Sequence, residues 1–266
     1  MEKKVVLVTG CSSGIGKEIC DQLIKDGGFI VYGISRNAFE MEGLTQFKVD
    51  VTDRQGIESV VKEIIDREKC LDILISNAGM GISGPVETAK IEDVQKLINV
   101  NFFGMVNCVQ AVLPYMRERK SGKIIMTSSL GSKVGLPFQS FYSASKSALD
   151  SLGFALNLEV KRFGIQCLNI LPGDTRTGFT GARVKQDDES AGIYSEVMER
   201  SVGKMEKDER NGMKVEKVAK VYVKYCKKKK MPLQKVVGFK NKVLAFLIKI
   251  LPIKLANAVV RKMYAK

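Results

Sequence analysis

The chain of 266 residues contains no histidine. Histidine is the side chain whose ordinary pKa lies near neutrality, so any proton transfer here must rest on another residue type. Its absence also removes the commonest nitrogen ligand for zinc. The six cysteines (Cys11, Cys20, Cys70, Cys108, Cys167 and Cys226) are scattered, and no two stand at ligand spacing. That pattern argues against a metal site and for reduced, buried thiols in a cytoplasmic protein. Met1-Glu2-Lys3-Lys4 passes straight into an apolar strand pattern, with no targeting peptide to be read there. Linkers and internal repeats are lacking too, so residues 1–266 are expected to form one domain. Near the C-terminus the longest uncharged apolar stretch, Val243 to Ile248, is far too short to span a bilayer.

The net charge of +14 is held at one end. Residues 1–202 carry 24 Lys+Arg against 25 Asp+Glu, whereas residues 203–266 carry 19 against 4. A basic segment of this kind meets nucleic acid or an anionic membrane surface, or stands as a solvated helix face. Few aromatics and no recognition motif argue against nucleic acid. Apolar residues interleaved with lysine at Leu244, Phe246, Leu247, Lys249, Ile250 and Lys254 allow peripheral membrane contact.

What is present, first, is alternation. Val5–Val8 is a compact apolar run, followed by a glycine-rich turn and a helical pattern over Ile15–Lys25. Phe29–Ile34 and Phe47–Asp50 read as strands, Asp53 opens a helix to about Arg67, and Leu71–Ser76 is a fourth strand. A helix is predicted over Val100–Arg119, a strand over Gly122–Ser128, a helix over Tyr142–Arg162 and a strand over Ile165–Leu171. Short β-rich runs joined by helices imply parallel pairing with right-handed crossovers. The expected fold class is therefore α/β: a Rossmann-type, doubly wound parallel sheet in three layers. Residues 174–212 are polar and suit a loop and helix segment over a site. Residues 213–266 form a basic helical extension, with a helix over Val215–Cys226, a short strand at Leu233–Val237 and an amphipathic stretch, Lys242–Met263, broken at Pro252.

The turn after the first strand places Gly10, Gly14 and Gly16 at G-x3-G-x-G spacing, with Ser12, Ser13 and Ile15 between them. Such a turn lets backbone approach a pyrophosphate, whose charge then meets the helix N-terminus. The second strand ends Gly33-Ile34-Ser35-Arg36 without an acid. A carboxylate there would take a ribose 2′-hydroxyl and repel a 2′-phosphate. Arg36 can pair with that phosphate and Ser13 adds a donor, so NADP(H) is expected over NAD(H); the alternative for Arg36 is a surface loop charge. Cys11, inside the turn, is either an oxidation target or a small packing residue.

Tyr142 and Lys146 lie four residues apart, one helical turn, on one face. A free phenol has a pKa of about 10. An ammonium one turn away favours the phenolate, and a serine hydroxyl can bond the same oxygen. Ser129, thirteen residues upstream, fits that serine role better than Ser128, which reads as a strand-end hydroxyl. On most helices a Tyr-x3-Lys pair is simply surface, so its weight comes from its companions.

Thr9–Gly16, Asn77-Ala78-Gly79, Asn101, Ser129, Tyr142–Lys146 and Pro172-Gly173 resemble, in order and spacing, the short-chain dehydrogenase/reductase family over about Val5–Thr177. The resemblance implies that Tyr142 is the general acid/base, that Lys146 lowers its pKa and holds the nicotinamide ribose, that Ser129 bonds the substrate oxygen, and that Asn101 supports a water. It implies Asp50 and Val51 at the adenine, Asn77, Ala78 and Gly79 along the cofactor, and Thr177 at the carboxamide beside Pro172, Gly173 and Thr175. Ser76, Asp174 and Thr175 depart from the commonest family pattern. A mostly apolar substrate wall is expected from Leu130, Val134, Gly135, Leu136, Pro137, Phe138 and Phe141, covered by Phe179–Tyr194. The tail, with Val237-Gly238, Leu247, Leu251-Pro252, Lys262 and Tyr264, resembles the retinol and hydroxysteroid dehydrogenase branch. That implies a bulky apolar alcohol or ketone: a steroid, a retinoid or a long-chain carbonyl. The tail's alternative is a packing element, and the protein's is a non-catalytic dinucleotide sensor or scaffold. Family members pair helices like Asn101–Arg119 and Tyr142–Arg162 across two-fold axes, which implies a homodimer or homotetramer.

Overall fold

The structure is a computed structural model that describes residues 2–186 and 189–265. In chain order it runs β1 (Lys4–Thr9), α1 (Gly14–Asp26), β2 (Phe29–Ser35), β3 (Leu44–Lys48), α2 (Arg54–Glu68), β4 (Ile73–Ser76), β5 (Ile82–Ser83), α3 (Ile91–Ile98), a π-helical turn (Asn99–Phe103), α4 (Gly104–Glu118), β6 (Gly122–Thr127) and α5 (Ser140–Val160). There follow β7 (Ile165–Leu171), β8 (Thr175–Arg176), β9 (Val184–Lys185), α6 (Ser195–Arg210), β10 (Met213–Lys214), α7 (Val215–Lys227), β11 (Gln234–Val236), α8 (Phe239–Ile250) and α9 (Ile253–Tyr264).

Among the described residues, seven strands form one sheet in the order β11-β7-β6-β4-β1-β2-β3, each pair parallel. The pleat explains the three layers. Val5 and Leu7 of β1 face a core shared with α2, α4 and α5, while Val6 and Val8 face a second core shared with α1 and α7. Leu74 and Ile124 join the first face, and Ile73, Ile75 and Ile125 the second. Strands apolar on both faces therefore read as continuous runs. All six cysteines are free, five of them buried. Cys11 is fully buried and burial pushes its thiol pKa up, which settles it as a packing residue.

Strand order reverses between β1 and β4, and a crevice opens beyond their carboxyl ends. Three differences from the sequence expectation bear on it. β3 lies at Leu44–Lys48 rather than Phe47–Asp50. Asp50 instead closes a turn, accepting from the Thr52 amide (2.9 Å) and hydroxyl (2.8 Å), while Asp53 caps α2 through the Gly56 amide. The helix predicted from Val100 begins nine residues earlier, at Ile91, and passes through the π-helical turn. That run, Ile91–Glu118, is long and apolar enough to cross a membrane by length and composition, and here it packs on α2 and α5. Residues 174–212 carry β8, β9, α6 and a 3-10 turn (Glu189–Tyr194). Asp187 and Asp188, inside the predicted covering segment, lie outside the described residues.

Candidate active site

A cavity of about 940 Å³ runs from the glycine turn, past the carboxyl ends of β1, β4, β6 and β7, to α8 and α9. At its first end, Gly10 (φ 69°) and Gly14 (φ 52°) take left-handed backbone that favours glycine. A Cβ on Gly16 would lie 2.1 Å from the Gly10 carbonyl oxygen, so only glycine lets α1 start this close to β1. Ser13 precedes α1 in extended backbone and its hydroxyl makes no capping bond, leaving the first amides of α1 and that hydroxyl toward the cavity. Arg36 is exposed, lines the same end, and forms no ion pair among the described residues. No acid stands where β2 ends. These features fit a dinucleotide: a glycine cradle, a helix N-terminus for its pyrophosphate and a spare guanidinium.

The middle of the cavity holds Ser129, Tyr142 and Lys146. β6 delivers Ser129, whose Oγ accepts from the Gly131 amide at 3.0 Å and starts a 3-10 turn, Leu130–Ser132. The first two turns of α5 present Tyr142 and Lys146. Lys146 is buried, and its Nζ donates to the Thr127 carbonyl at 2.9 Å. Burial lowers the Lys146 pKa to about 8, with nearby Asp150 opposing the change. For Tyr142 the shift is upward. Desolvation raises its pKa and Glu209 adds to the rise, whereas a hydrogen bond with Ser129 and the charge of Arg183 work against it. This corrects the expectation that Lys146 lowers the phenol pKa: in the protein chain itself, loss of water at the hydroxyl dominates. Nζ lies 5.9 Å from the tyrosine ring centre and spends a bond on Thr127.

Asn101 sits in the π-helical turn, 1% exposed, and does not line the cavity. Its Oδ1 accepts from the Met80 amide (2.8 Å), and its Nδ2 donates to the Met80 carbonyl (3.0 Å) and Ser145 Oγ (3.1 Å). Ser145 in turn donates to the Tyr142 carbonyl at 2.7 Å. Only Gly79 separates Asn101 from Lys146: a Cβ there would lie 3.2 Å from Asn101 Oδ1 and 3.5 Å from Lys146 Nζ. Ser128 Oγ donates to the Lys146 carbonyl at 3.3 Å, a strand-end contact away from the tyrosine.

Of the other residues singled out from sequence, Gly10, Ser12, Ser13, Gly14, Ile15, Arg36, Asp50, Val51, Asn77, Ala78, Gly79, Leu136, Pro172, Gly173, Thr175 and Thr177 all line the cavity. Thr175 spends its hydroxyl on the Gly173 carbonyl. Gly16 packs behind the turn. Phe138 does not line the cavity: left-handed backbone at φ 59° turns the chain there, its carbonyl accepts from the Gly84 amide, and Gln139 takes the place on the wall. Sequence reasoning missed Gln139, Met205, Asp208 and Glu209. Glu209 accepts from Thr180 Oγ1 (2.6 Å) and pairs with buried Arg183. Asp174 has its pKa raised to about 6, by burial first and then by Asp208 and Glu209.

The family description short chain dehydrogenase matches residues 4–188. The chain belongs to the short-chain dehydrogenases. This short-chain dehydrogenase is 42% identical over 240 residues to a 3-ketodihydrosphingosine reductase of Bacteroides thetaiotaomicron, covering 90% of this chain and 89% of the relative. It is 34% identical to human 17-beta-hydroxysteroid dehydrogenase type 1 over 195 residues, 67% of this chain and 59% of that protein. Among solved structures, a short-chain dehydrogenase from Streptomyces avermitilis matches with a TM-score of 0.81 at 29% identity, covering 98% of this chain and 96% of that one. The protein is an oxidoreductase of a family that works with nicotinamide dinucleotides on small molecules.

Proposed function

We propose that this short-chain dehydrogenase interconverts a carbonyl and its alcohol with NADP(H), on a long-chain apolar ketone of the kind named for its Bacteroides relative. The observation that carries the reading is the continuity of the cavity, from the glycine turn through Tyr142 to a wall built by Leu244, Ile248, Leu251, Val260 and Met263. That wall is apolar and extended, which suits an alkyl arm. The 42% identity to a 3-ketodihydrosphingosine reductase favours a long-chain ketone over a steroid, for which the identity is 34% over a shorter span.

Bound dinucleotide supplies or takes the hydride. The chain's residues do the rest. The Gly10–Gly16 turn and the α1 N-terminus receive pyrophosphate charge, Arg36 and Ser13 a 2′-phosphate, and Asp50 and Val51 border the adenine. Asn77, Ala78, Gly79, Pro172, Gly173, Thr175 and Thr177 flank the nicotinamide half. Lys146 holds the ribose hydroxyls, with Asn101 fixing the backbone beside it. Tyr142 moves the proton at the substrate oxygen and Ser129 hydrogen-bonds that oxygen, beside Leu136. Phe103 and Leu158 are 51% and 74% exposed on the two helices expected to pair across a two-fold axis, in support of a homodimer or homotetramer. Residues 1–266 work as one unit in the cytoplasm, with the basic C-terminal segment available to a membrane surface.

The test is reduction of a panel of long-chain ketones, steroids and retinal by the purified protein with NADPH and with NADH. Long-chain ketones with NADPH should turn over fastest, and Tyr142→Phe should lower the rate by about 10²–10⁴ while dinucleotide binding persists. Equal turnover by Tyr142→Phe, or turnover of steroids alone, would overturn the reading.

A further inference from the structure

α8 has two apolar faces. Leu244 and Ile248 turn inward and line the cavity. Phe239, Val243, Phe246 and Ile250 stand at i, i+4, i+7 and i+11, on the opposite side of the helix, and are 80%, 45%, 61% and 58% exposed. Ile253, 77% exposed, follows directly after Pro252. Scattered apolar residues in water are ordinary, but a row of four along one edge of α8, with Ile253 exposed at the start of α9, marks a contact surface.

Its surroundings say what kind of partner. Counting 100° per residue, Lys240 flanks the row on one side and Lys242 and Lys249 on the other. α9 adds Lys254, Arg261 and Lys262, all exposed, and no carboxylate follows Glu216 in the sequence. A second copy docking through this face about a two-fold axis would set these cations against themselves. An anionic bilayer matches both features, with acyl chains for the apolar row and headgroup charge for the lysines. Each helix has 12 residues, too short to span a bilayer, so the pair lies in the plane of the interface.

We propose that α8 and α9 dock on an anionic lipid surface, and that because the same helices wall the cavity, an apolar substrate enters from the lipid rather than from water. Docking stands on the surface alone, whereas the entry route rests on the function proposed above.

The full chain is sedimented with phosphatidylcholine vesicles, with and without phosphatidylglycerol, at low and high salt. It should bind the anionic vesicles, and high salt should release it. Lys242→Glu with Lys249→Glu should weaken binding by at least about fivefold per lysine. Phe246→Glu with Ile250→Glu should weaken it more than tenfold, while circular dichroism and turnover of a detergent-dispersed long-chain ketone stay as in the parent. Presented in anionic vesicles, the same ketone should turn over at least tenfold more slowly with that double variant. Failure to bind either vesicle, or variants that bind as the parent does, would overturn docking. Stripe variants that abolish a dimer in a chain that ignores vesicles would assign the face to a second copy instead. Equal vesicle turnover by parent and double variant would overturn the entry route. If no ketone is reduced in any presentation, the functional reading fails, and sedimentation still decides docking.

Discussion

Lys146→Met should make the folded chain more stable while removing its activity. The buried ammonium has a pKa lowered from 10.5 to about 8, chiefly by burial. At neutral pH that difference means a folding penalty of about 3 kcal/mol, because the unfolded chain keeps the charge in water. Methionine fills a similar volume without charge. The variant forfeits the Nζ bond to the Thr127 carbonyl, a loss of about 1 kcal/mol. The net gain at pH 7 is about 2 kcal/mol. Its pH dependence has a definite sign. For a lysine whose folded pKa is depressed, the penalty is fully present below about 8 and disappears as pH rises toward 10.5. Urea unfolding of parent and variant, without dinucleotide, should therefore show the variant ahead at pH 7 and the two nearly equal by about pH 10. A variant less stable than the parent at pH 7, or an advantage that does not shrink with pH, would refute the reasoning. NADPH-dependent reduction, measured alongside, should be lost, since the stability gained here comes from removing a buried charge that the proposed chemistry uses.

The remaining predictions concern the same pocket. For the free enzyme, kcat/KM for ketone reduction should hold through neutrality and fall above about 8 as Lys146 loses its proton, with the Tyr142 limb lying higher still. A profile flat well beyond 8 would sink that assignment. Arg36→Glu should reverse dinucleotide preference by about 10–100-fold in fluorescence titrations, the worth of one charge-assisted hydrogen bond. An unchanged NADPH to NADH ratio would make Arg36 a solvated loop charge.

The sheet was legible where strands are buried on both faces, because β1, β4, β6 and β7 then read as unbroken apolar runs. β3 is an edge strand with half-exposed residues, and its boundary slipped toward Val49. α2 announces itself through the Asp53 cap, whereas Lys90 offers α3 no side-chain cap, and the whole of that eight-residue helix went unread. Gly10–Gly16 is one contiguous turn and Arg36 closes β2, so local spacing drew attention to them, whereas Asp50 and Val51 were singled out by the family resemblance alone. Met205, Asp208 and Glu209 reach the cavity only through the docking of α6, and Gln139 through the left-handed turn at Phe138 just before α5, and nothing local marks them. The burial of the Tyr142 hydroxyl is likewise a product of tertiary packing, so the sign of its shift, set first by desolvation, was beyond sequence reasoning.

That sign bears on how a chain without histidine handles protons near neutrality. Tyr142 and Lys146 start from ordinary values of 10.0 and 10.5, and burial drives them apart, the phenol upward and the ammonium to about 8. Between neutrality and 8 the tyrosine therefore keeps its proton securely while the lysine still carries its charge. Glu209 pushes the phenol further up and Arg183, paired with that carboxylate, restrains it, so α6 and the covering segment help set the balance. On the proposed chemistry, a protonated Tyr142 can donate to a carbonyl oxygen at once. Oxidation of an alcohol would first require that proton to leave against the desolvation that holds it, which takes higher pH or the added charge of an oxidised nicotinamide. Of the two directions, reduction is the one that the chain's own electrostatics favour at neutral pH.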